Sequence, residues 1–306
     1  MGAAVWLAFL LIRTSDSNET ELIQKVLLLG ILVIIPLGLS LVPNAQSESN
    51  SLLYRAAILA QPVGAVAGAV SFFLYAGGSA AILASSWLLV TVMIAVFGFL
   101  RLLRRGPVFS REMCIDAGML YLPVGGLWLV ASRLGIQPIG FGDTIVLLTA
   151  MHFHFAGFAA PILAGLAGRT LPGSQPLSRV FALAGICIVG STPLIAAGIA
   201  FSPALALAGA LIISTGLVLL AVLVVGWVLR SLNSFGAQTL LVASSLSSVC
   251  AMILACLYAY SIVAKTVIVD IPQMAMSHGI LNAFGFTLCG LLAWSLVSPS
   301  NKAIEE

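Results

Sequence analysis

Charged residues are scarce in this sequence of 306 residues: they make up 8% of the chain, while 61% of it is hydrophobic. Soluble domains usually carry about 25% charged residues. A surface so poor in charge cannot stay dissolved in water, which excludes a soluble globular enzyme. Disorder, coiled coils and nucleic-acid binding are excluded as well, because each requires more charge. The composition predicts a polytopic membrane protein whose surroundings are the lipid bilayer and which has no nucleic-acid partner.

Several chemical motifs are also absent. The sequence has no Walker A motif, no GxSxG elbow, no dinucleotide fingerprint and no aspartate-rich diphosphate motif. Their absence disfavours ATP-driven transport by this chain alone and serine-hydrolase chemistry. The five cysteines form no CxxC pair and lie in apolar segments, which is typical of packed side chains rather than of a disulfide framework.

Long apolar segments, by contrast, are abundant. A helix needs about 20 mostly apolar residues to cross a bilayer core. We therefore predict an all-α polytopic bundle, organised as one integral membrane domain over residues 1–306 with nine long spans. The predicted spans are 22–43, 52–75, 79–100, 113–132, 144–168, 178–200, 205–229, 239–263 and 274–298.

The first twelve residues are apolar but would rise only ~18 Å as a helix. They lack the basic leader and the cleavage site of a signal peptide. We expect a short tenth span here, with a half-helix or an interfacial anchor as the alternatives.

The basic residues are distributed unequally between alternate loops. Counted by side, nine lie at one face and four at the other. Because cytoplasmic loops are enriched in Lys and Arg, we predict a multi-pass protein of the cell membrane with a cytoplasmic C-terminus. The nine are Arg55, Arg101, Arg104, Arg105, Arg111, Arg169, Arg179, Arg230 and Lys302, and the four are Arg13, Lys25, Arg133 and Lys265.

All three histidines of the chain, His152, His154 and His278, fall in predicted spans. Ionisable side chains in the bilayer are costly and usually functional. With the predicted orientation all three lie in the outer half of the membrane, so we expect them to converge on one site. Asp143 and Asp270 lie at the mouths of the same two spans.

Helical geometry restricts how these side chains cooperate. His152 and His154, two residues apart, point about 200° away from each other, so a single ion bound by both requires a broken helix. His278 and Asn282 are four residues apart and share a face. A pair between Arg55 and Asp116, at similar depths of their spans, is a further expectation, with a structural role.

The histidines allow more than one chemistry. Imidazole suits Zn, Cu and Fe, so His152, His154 and His278 are candidate metal ligands. A proton relay is the second version, because histidine titrates near neutrality. A third is structural, since buried histidines also hydrogen-bond neighbouring helices.

Two sequence runs resemble the YndJ-like family of bacterial membrane proteins. One is Pro138–Phe141 followed by the run from His152 to Phe158, and the other contains His278–Gly279, Asn282 and Gly285–Phe286. They cover about a tenth of the chain. The resemblance implies a bacterial multi-spanning protein in which the two histidine motifs belong together, in a family to which a transporter label is sometimes attached. It implies no substrate and no role for any residue.

Three functions follow from these observations. The first is a transporter or channel whose outward histidine site binds a small molecule, a proton or a metal ion. The second is a membrane-embedded enzyme, metal-dependent in one version, that acts on a lipophilic substrate. The third is a non-catalytic sensor or assembly partner. We rank transport slightly ahead of catalysis, with His152, His154 and His278 as the site and Asn282, Asp143 and Asp270 as its supporting residues.

Overall fold

The computed structural model describes residues 2–12, 18–106 and 110–297. These residues form an all-α polytopic bundle without strands, and they contain nine helices long and apolar enough to cross a membrane. All nine predicted spans are confirmed within a few residues. The helices are α2 (Asn18–Ser40), α3 (Leu52–Phe73), α4 (Gly78–Arg105), α5 (Arg111–Leu134), α6 (Asp143–Thr170), α7 (Gln175–Phe201), α8 (Pro203–Ser231), α9 (Phe235–Val263) and α10 (Ile271–Val297).

A short first helix, α1 (Gly2–Leu10), precedes these nine. Nine residues rise ~14 Å, about half of a bilayer core of ~30 Å. The helix packs against α2, where the Trp6 indole donates to the carbonyl of Lys25 at 2.9 Å and the Lys25 ammonium donates to the carbonyl of Leu10 at 3.0 Å. Of the three expectations for this segment, its length fits the half-helix and not a short tenth span.

Two helices form the centre of the bundle. In α2 and in α6, 72% of the most apolar stretch is buried, against 28–56% in the other seven. The helices α3, α4 and α5 pack as consecutive neighbours on one side, and α7 to α10 follow one another on the other side. The helices that surround α2 and α6 expose apolar side chains such as Leu59, Leu89 and Leu246 outward, as a lipid environment requires.

The ends of the helices define two faces. At the arginine face α2, α4 and α6 end and α3, α5 and α7 begin, so it contains Arg101, Arg105 and Arg169. The opposite face contains the loops 74–77, 135–142 and 264–270. The assignment of the arginine face to the cytoplasm remains a prediction. Lys302, counted for this face, and Arg13, counted for the opposite one, lie outside the described residues.

Several helices contain π-helical turns, in which one residue more than usual fits into a turn. Three of these segments lie on different helices and contact each other inside the bundle: Gly30–Ile34 of α2, Phe153–Ala159 of α6 and Leu281–Leu288 of α10. Gly30 permits this close approach, since a Cβ there would lie 3.2 Å from the ring of Phe155. Such turns are frequent at functional sites, and these are adjacent to all three histidines.

Candidate functional site

His154 lies in the centre of the bundle and is fully buried. Its Nδ1 is 2.8 Å from the carbonyl of Ala150, and its Nε2 accepts a hydrogen bond of 2.8 Å from the indole of Trp87 on α4. Because a carbonyl can only accept and an indole N–H can only donate, the ring is a neutral imidazole with its hydrogen on Nδ1. Both nitrogens are in use, so His154 has the structural role that the sequence allowed.

His152 is in a different environment: it is exposed, whereas His154 is buried. Its Nδ1 donates to the carbonyl of Leu148, one turn earlier on α6, at 2.7 Å. The hydrogen is therefore again on Nδ1. Within the described part of the chain Nε2 has no partner, which leaves one basic nitrogen open to a proton or a ligand.

His278 is half-buried on α10 and is joined to α9. Its Nδ1 donates to the carbonyl of Ala251 at 2.9 Å, and its Nε2 lies 3.1 Å from the side-chain amide of Asn282. The predicted pairing of His278 with Asn282 is thus present in the structure. Asn282 also donates to the backbone carbonyl of His278 at 3.0 Å, which fixes the amide beside the ring.

His152 and His278 lie on the outer parts of α6 and α10, and α2 packs against both of these parts. Only His152 has an open nitrogen, and His154 is bound to Trp87.

The two carboxylates at the mouths of the spans have local partners. Asp270 caps the start of α10: it accepts from the backbone N–H of Gln273 at 2.8 Å, while the Gln273 side chain accepts from the N–H of Asp270 at 3.1 Å. Asp143, at the start of α6, accepts from the side-chain amide of Gln137 at 2.9 Å. Both carboxylates are exposed at the opposite face.

The expected set of three histidine metal ligands is not assembled. Residues 2–12, 18–106 and 110–297 contain no group of three or more His, Cys, Asp or Glu side chains that could hold a metal ion. The physical reason is the one that the two-residue spacing predicted: His152 and His154 leave α6 in different directions, and a π-helical turn beginning at Phe153 does not bring them together.

The outer parts of α6 and α10 pack differently from the parts nearer the arginine face. The helices α6 and α10 contact each other through the π-helical segments Phe153–Ala159 and Leu281–Leu288, and again near the arginine face. Their outer parts, which carry His152 and His278, make little direct contact, and α2 packs against both. We call this region, lined by His152 and His278 and backed by α2, the histidine cleft.

A second polar cluster, at the arginine face, was not predicted. It consists of three arginines and three carboxylates, and we call it the ion network: Glu48, Arg101, Arg105, Glu112, Asp116 and Arg169. Asp116 is fully buried and Arg101 is 3% exposed. The expected Arg55–Asp116 pair is wrong: Asp116 accepts from Arg101 at 2.9 Å and from Arg105, while Arg55 is exposed.

A signal for this network exists in the sequence. Arg101 and Arg105 are four residues apart near the end of one span, and Glu112 and Asp116 are four apart at the start of the next. Each pair lies on one face of its helix, and antiparallel helices joined by a short connection place the two faces together. Arg169 and Glu48 carry no such signal, because they join the network from distant parts of the chain.

Two cavities are described in the bundle, and no histidine lines either of them. One has a volume of about 450 Å³, lies between α8 and α9, and is almost wholly apolar, with Ser214, Cys256 and Tyr260 among its lining residues. The other, of about 20 Å³, is enclosed among α6, α8, α9 and α10 and is lined in part by Ser244, Ser245 and Ser248. The smaller one has room for about one water molecule.

Comparison with known proteins identifies the family. The family model described as YndJ-like protein matches residues 25–286. One similar protein, named uncharacterized membrane protein YndJ, from Bacillus subtilis (strain 168), is 31% identical over 297 residues, which are 95% of this chain and 52% of that protein. The chain thus spans about half the length of this relative. No solved structure matches the chain significantly. The protein is a multi-pass membrane protein, and it belongs to the YndJ-like family.

Proposed function

We propose that the protein is a membrane transport protein that binds a proton or a small polar solute at His152 and His278 in the histidine cleft. One arrangement supports this proposal: His152, exposed and with an unpartnered nitrogen, and His278, beside the amide of Asn282, lie on the outer parts of α6 and α10, and α2 packs against both parts. Apolar side chains would be cheaper at both positions if packing alone were required.

The arrangement suits transient proton binding. Each ring is oriented by a hydrogen bond from Nδ1 to a backbone carbonyl, so Nε2 is the atom that gains and loses the proton. Asn282, beside Nε2 of His278, is the polar group that a bound solute would meet next.

Catalysis has less support in the described geometry. The apolar cavity between α8 and α9 has the character of a site for a lipophilic substrate, but no histidine or carboxylate lines it. The Ser214 hydroxyl there donates to the carbonyl of Ala210 at 2.6 Å. Among the described side chains, its hydrogen-bonding partner is the thiol of Cys256. A general base is therefore missing from that lining.

Proton movement in vesicles tests the proposal. The purified protein is reconstituted into liposomes with a pH-sensitive dye inside, and a pH gradient is imposed together with a potassium diffusion potential. We expect faster proton entry than in protein-free liposomes, and a loss of most of this flux in His152→Gln and His278→Gln.

Thr215→Val is the matched control. Thr215 is also exposed and also bonds only to its own helix, through the carbonyl of Leu211 at 2.9 Å, so its replacement should leave the flux unchanged. Wild-type flux equal to that of empty liposomes, or full flux in His152→Gln, would refute proton transport by the cleft.

A further inference from the structure

The ion network closes the arginine face of the bundle with charges that balance each other. Arg101 donates to Glu48 at 2.6 Å, to Glu112 at 2.7 Å and to Asp116 at 2.9 Å, and Arg105 also binds Asp116. Three positive and three negative side chains are thereby paired without a further ion. The network joins the segment 46–49, which precedes α3, to the ends of α4 and α5.

Arg169 connects this network to the two central helices. Its guanidinium donates two hydrogen bonds to Glu112, from Nε to Oε1 at 2.7 Å and from Nη2 to Oε2 at 2.8 Å. It also donates to the carbonyls of Leu41 at 3.0 Å and Val42 at 2.7 Å, directly after α2. One side chain at the end of α6 thus holds α2 and α5 together.

The two ends of the central helices are therefore different. At the arginine face α6 is tied to its neighbours by charge-assisted hydrogen bonds, which are stronger than neutral ones. At the opposite face the outer parts of α6 and α10 make little direct contact, and His152 is exposed. The two ends of α6 are thus held by different kinds of contact.

The chemistry of the closure matters for its reversal. Packed apolar side chains that separate expose hydrophobic surface to water, which costs free energy in proportion to the area. Separated arginines and carboxylates are instead hydrated, and hydration offsets much of the attraction they lose. In addition, Glu48, Arg105, Glu112 and Arg169 are already partly exposed, between 14% and 31% of each side chain. An ion network can thus open and close with a smaller difference in free energy than an apolar seal.

We propose that the ion network is a reversible gate of the arginine face, and that Arg169 is the contact whose release lets the histidine cleft communicate with that face. The inference rests on the proposed function, since a gate serves a bound solute or proton that must leave on the other side. The gate itself, however, can be tested without any transported species.

A native cysteine reports the state of the gate. Cys114 lies on α5 two residues from both Glu112 and Asp116, on a different face of the helix from these carboxylates, and it is fully buried. In a background where Cys187, Cys250, Cys256 and Cys289 are replaced by alanine, alkylation of Cys114 by N-ethylmaleimide in permeabilised vesicles measures how often this region opens. Arg169→Gln removes both charge-assisted hydrogen bonds to Glu112. It should raise the alkylation rate about tenfold or more, because the loss of even one such bond shifts the equilibrium between closed and open forms by about that factor.

Arg111→Gln is the matched control. Arg111 is an arginine of the same face that donates to the backbone carbonyls of Gly168 at 3.0 Å and Arg169 at 3.3 Å, but it has no carboxylate partner in the described residues. It should leave Cys114 protected. The double variant Glu112→Arg with Arg169→Glu, which restores a pair in reverse, should return the rate toward the wild-type value.

If the alkylation rate of Cys114 is unchanged in Arg169→Gln, or rises equally in Arg111→Gln, the ion network is a fixed structural contact and the gate proposal is refuted. If Arg169→Gln no longer elutes as a folded species, Arg169→Lys, which keeps the charge but loses the two-pronged grip, gives the decision: a folded variant with Cys114 as protected as in the wild type contradicts the proposal. A gate that opens in vesicles without proton flux would leave the gate standing and refute the transport function alone.

Discussion

At the scale of single residues, the three histidines share one feature and differ in another. In each, Nδ1 is bound to a backbone carbonyl, of Leu148, Ala150 or Ala251. What distinguishes them is the surroundings of Nε2, which is open in His152, beside an amide in His278 and bound to Trp87 in His154. The same side chain is therefore a candidate ligand in one place and a structural link in another.

The Trp87–His154 bond predicts a stability effect. Trp87→Phe or His154→Phe leaves one buried polar atom without its partner, which should lower the free energy of unfolding by about 1–3 kcal/mol. The double variant removes both polar groups and should cost less than the sum of the two. Denaturant unfolding in detergent measures all three, and strict additivity would contradict the coupling.

Sequence reasoning found the histidines but not their partners. Periodicity shows that His154 is inside a span, yet Trp87, 67 residues away, becomes its partner only through the packing of α4 against α6. The expectation that all three imidazoles meet rested on depth in the membrane alone. Depth does not specify the direction of a side chain around its helix, and direction separates His154 from His152.

At the scale of elements, the nine spans could be predicted because each is a long apolar segment, and in lipid such a segment satisfies its backbone hydrogen bonds by forming a helix. The π-helical segments could not be predicted. They depend on the mutual packing of α2, α6 and α10, where three segments must fit around bulky side chains such as Phe155 and Phe158. The position of the histidines beside these turns is thus a property of the assembled bundle.

The start of α10 gives a prediction at this scale. Asp270 forms a capping box with Gln273, so Asp270→Ala should destabilise the protein by about 1 kcal/mol, whereas Asp270→Asn, an equally good cap, should not. Thermal unfolding of the two variants is the measurement. If the asparagine variant keeps its stability but loses proton flux, the carboxylate has a role in the cleft besides capping.

At the scale of the whole molecule, the two faces of the bundle differ in character: the ion network joins the helices at one face, and His152 is exposed toward the other. The sequence indicated this polarity through the loop charges, nine against four. It did not indicate that three of those arginines form ion pairs with carboxylates. That distinction depends on the contacts of Arg101, Arg105 and Arg169 and not on their number.

Labelling of single cysteines tests the orientation. Ser174, at the arginine face, and Thr266, at the opposite face, are both exposed in loops, so each replaced by cysteine in a cysteine-free background is a site for a thiol reagent. In intact cells a membrane-impermeant maleimide should label the Thr266→Cys variant and not the Ser174→Cys variant. The reverse pattern would place the arginine face outside.

The internal pairing of the ion network has a consequence for the rim around it. Every carboxylate that the structure describes at this face is neutralised by a guanidinium, so the remaining arginines, which are exposed, have no acidic neighbour to compensate them. Phospholipids of negative charge attract such side chains by ~1 kcal/mol each. The exposed arginines therefore form a positively charged rim that attracts phosphate headgroups. They are Arg55, Arg104, Arg111, Arg179 and Arg230.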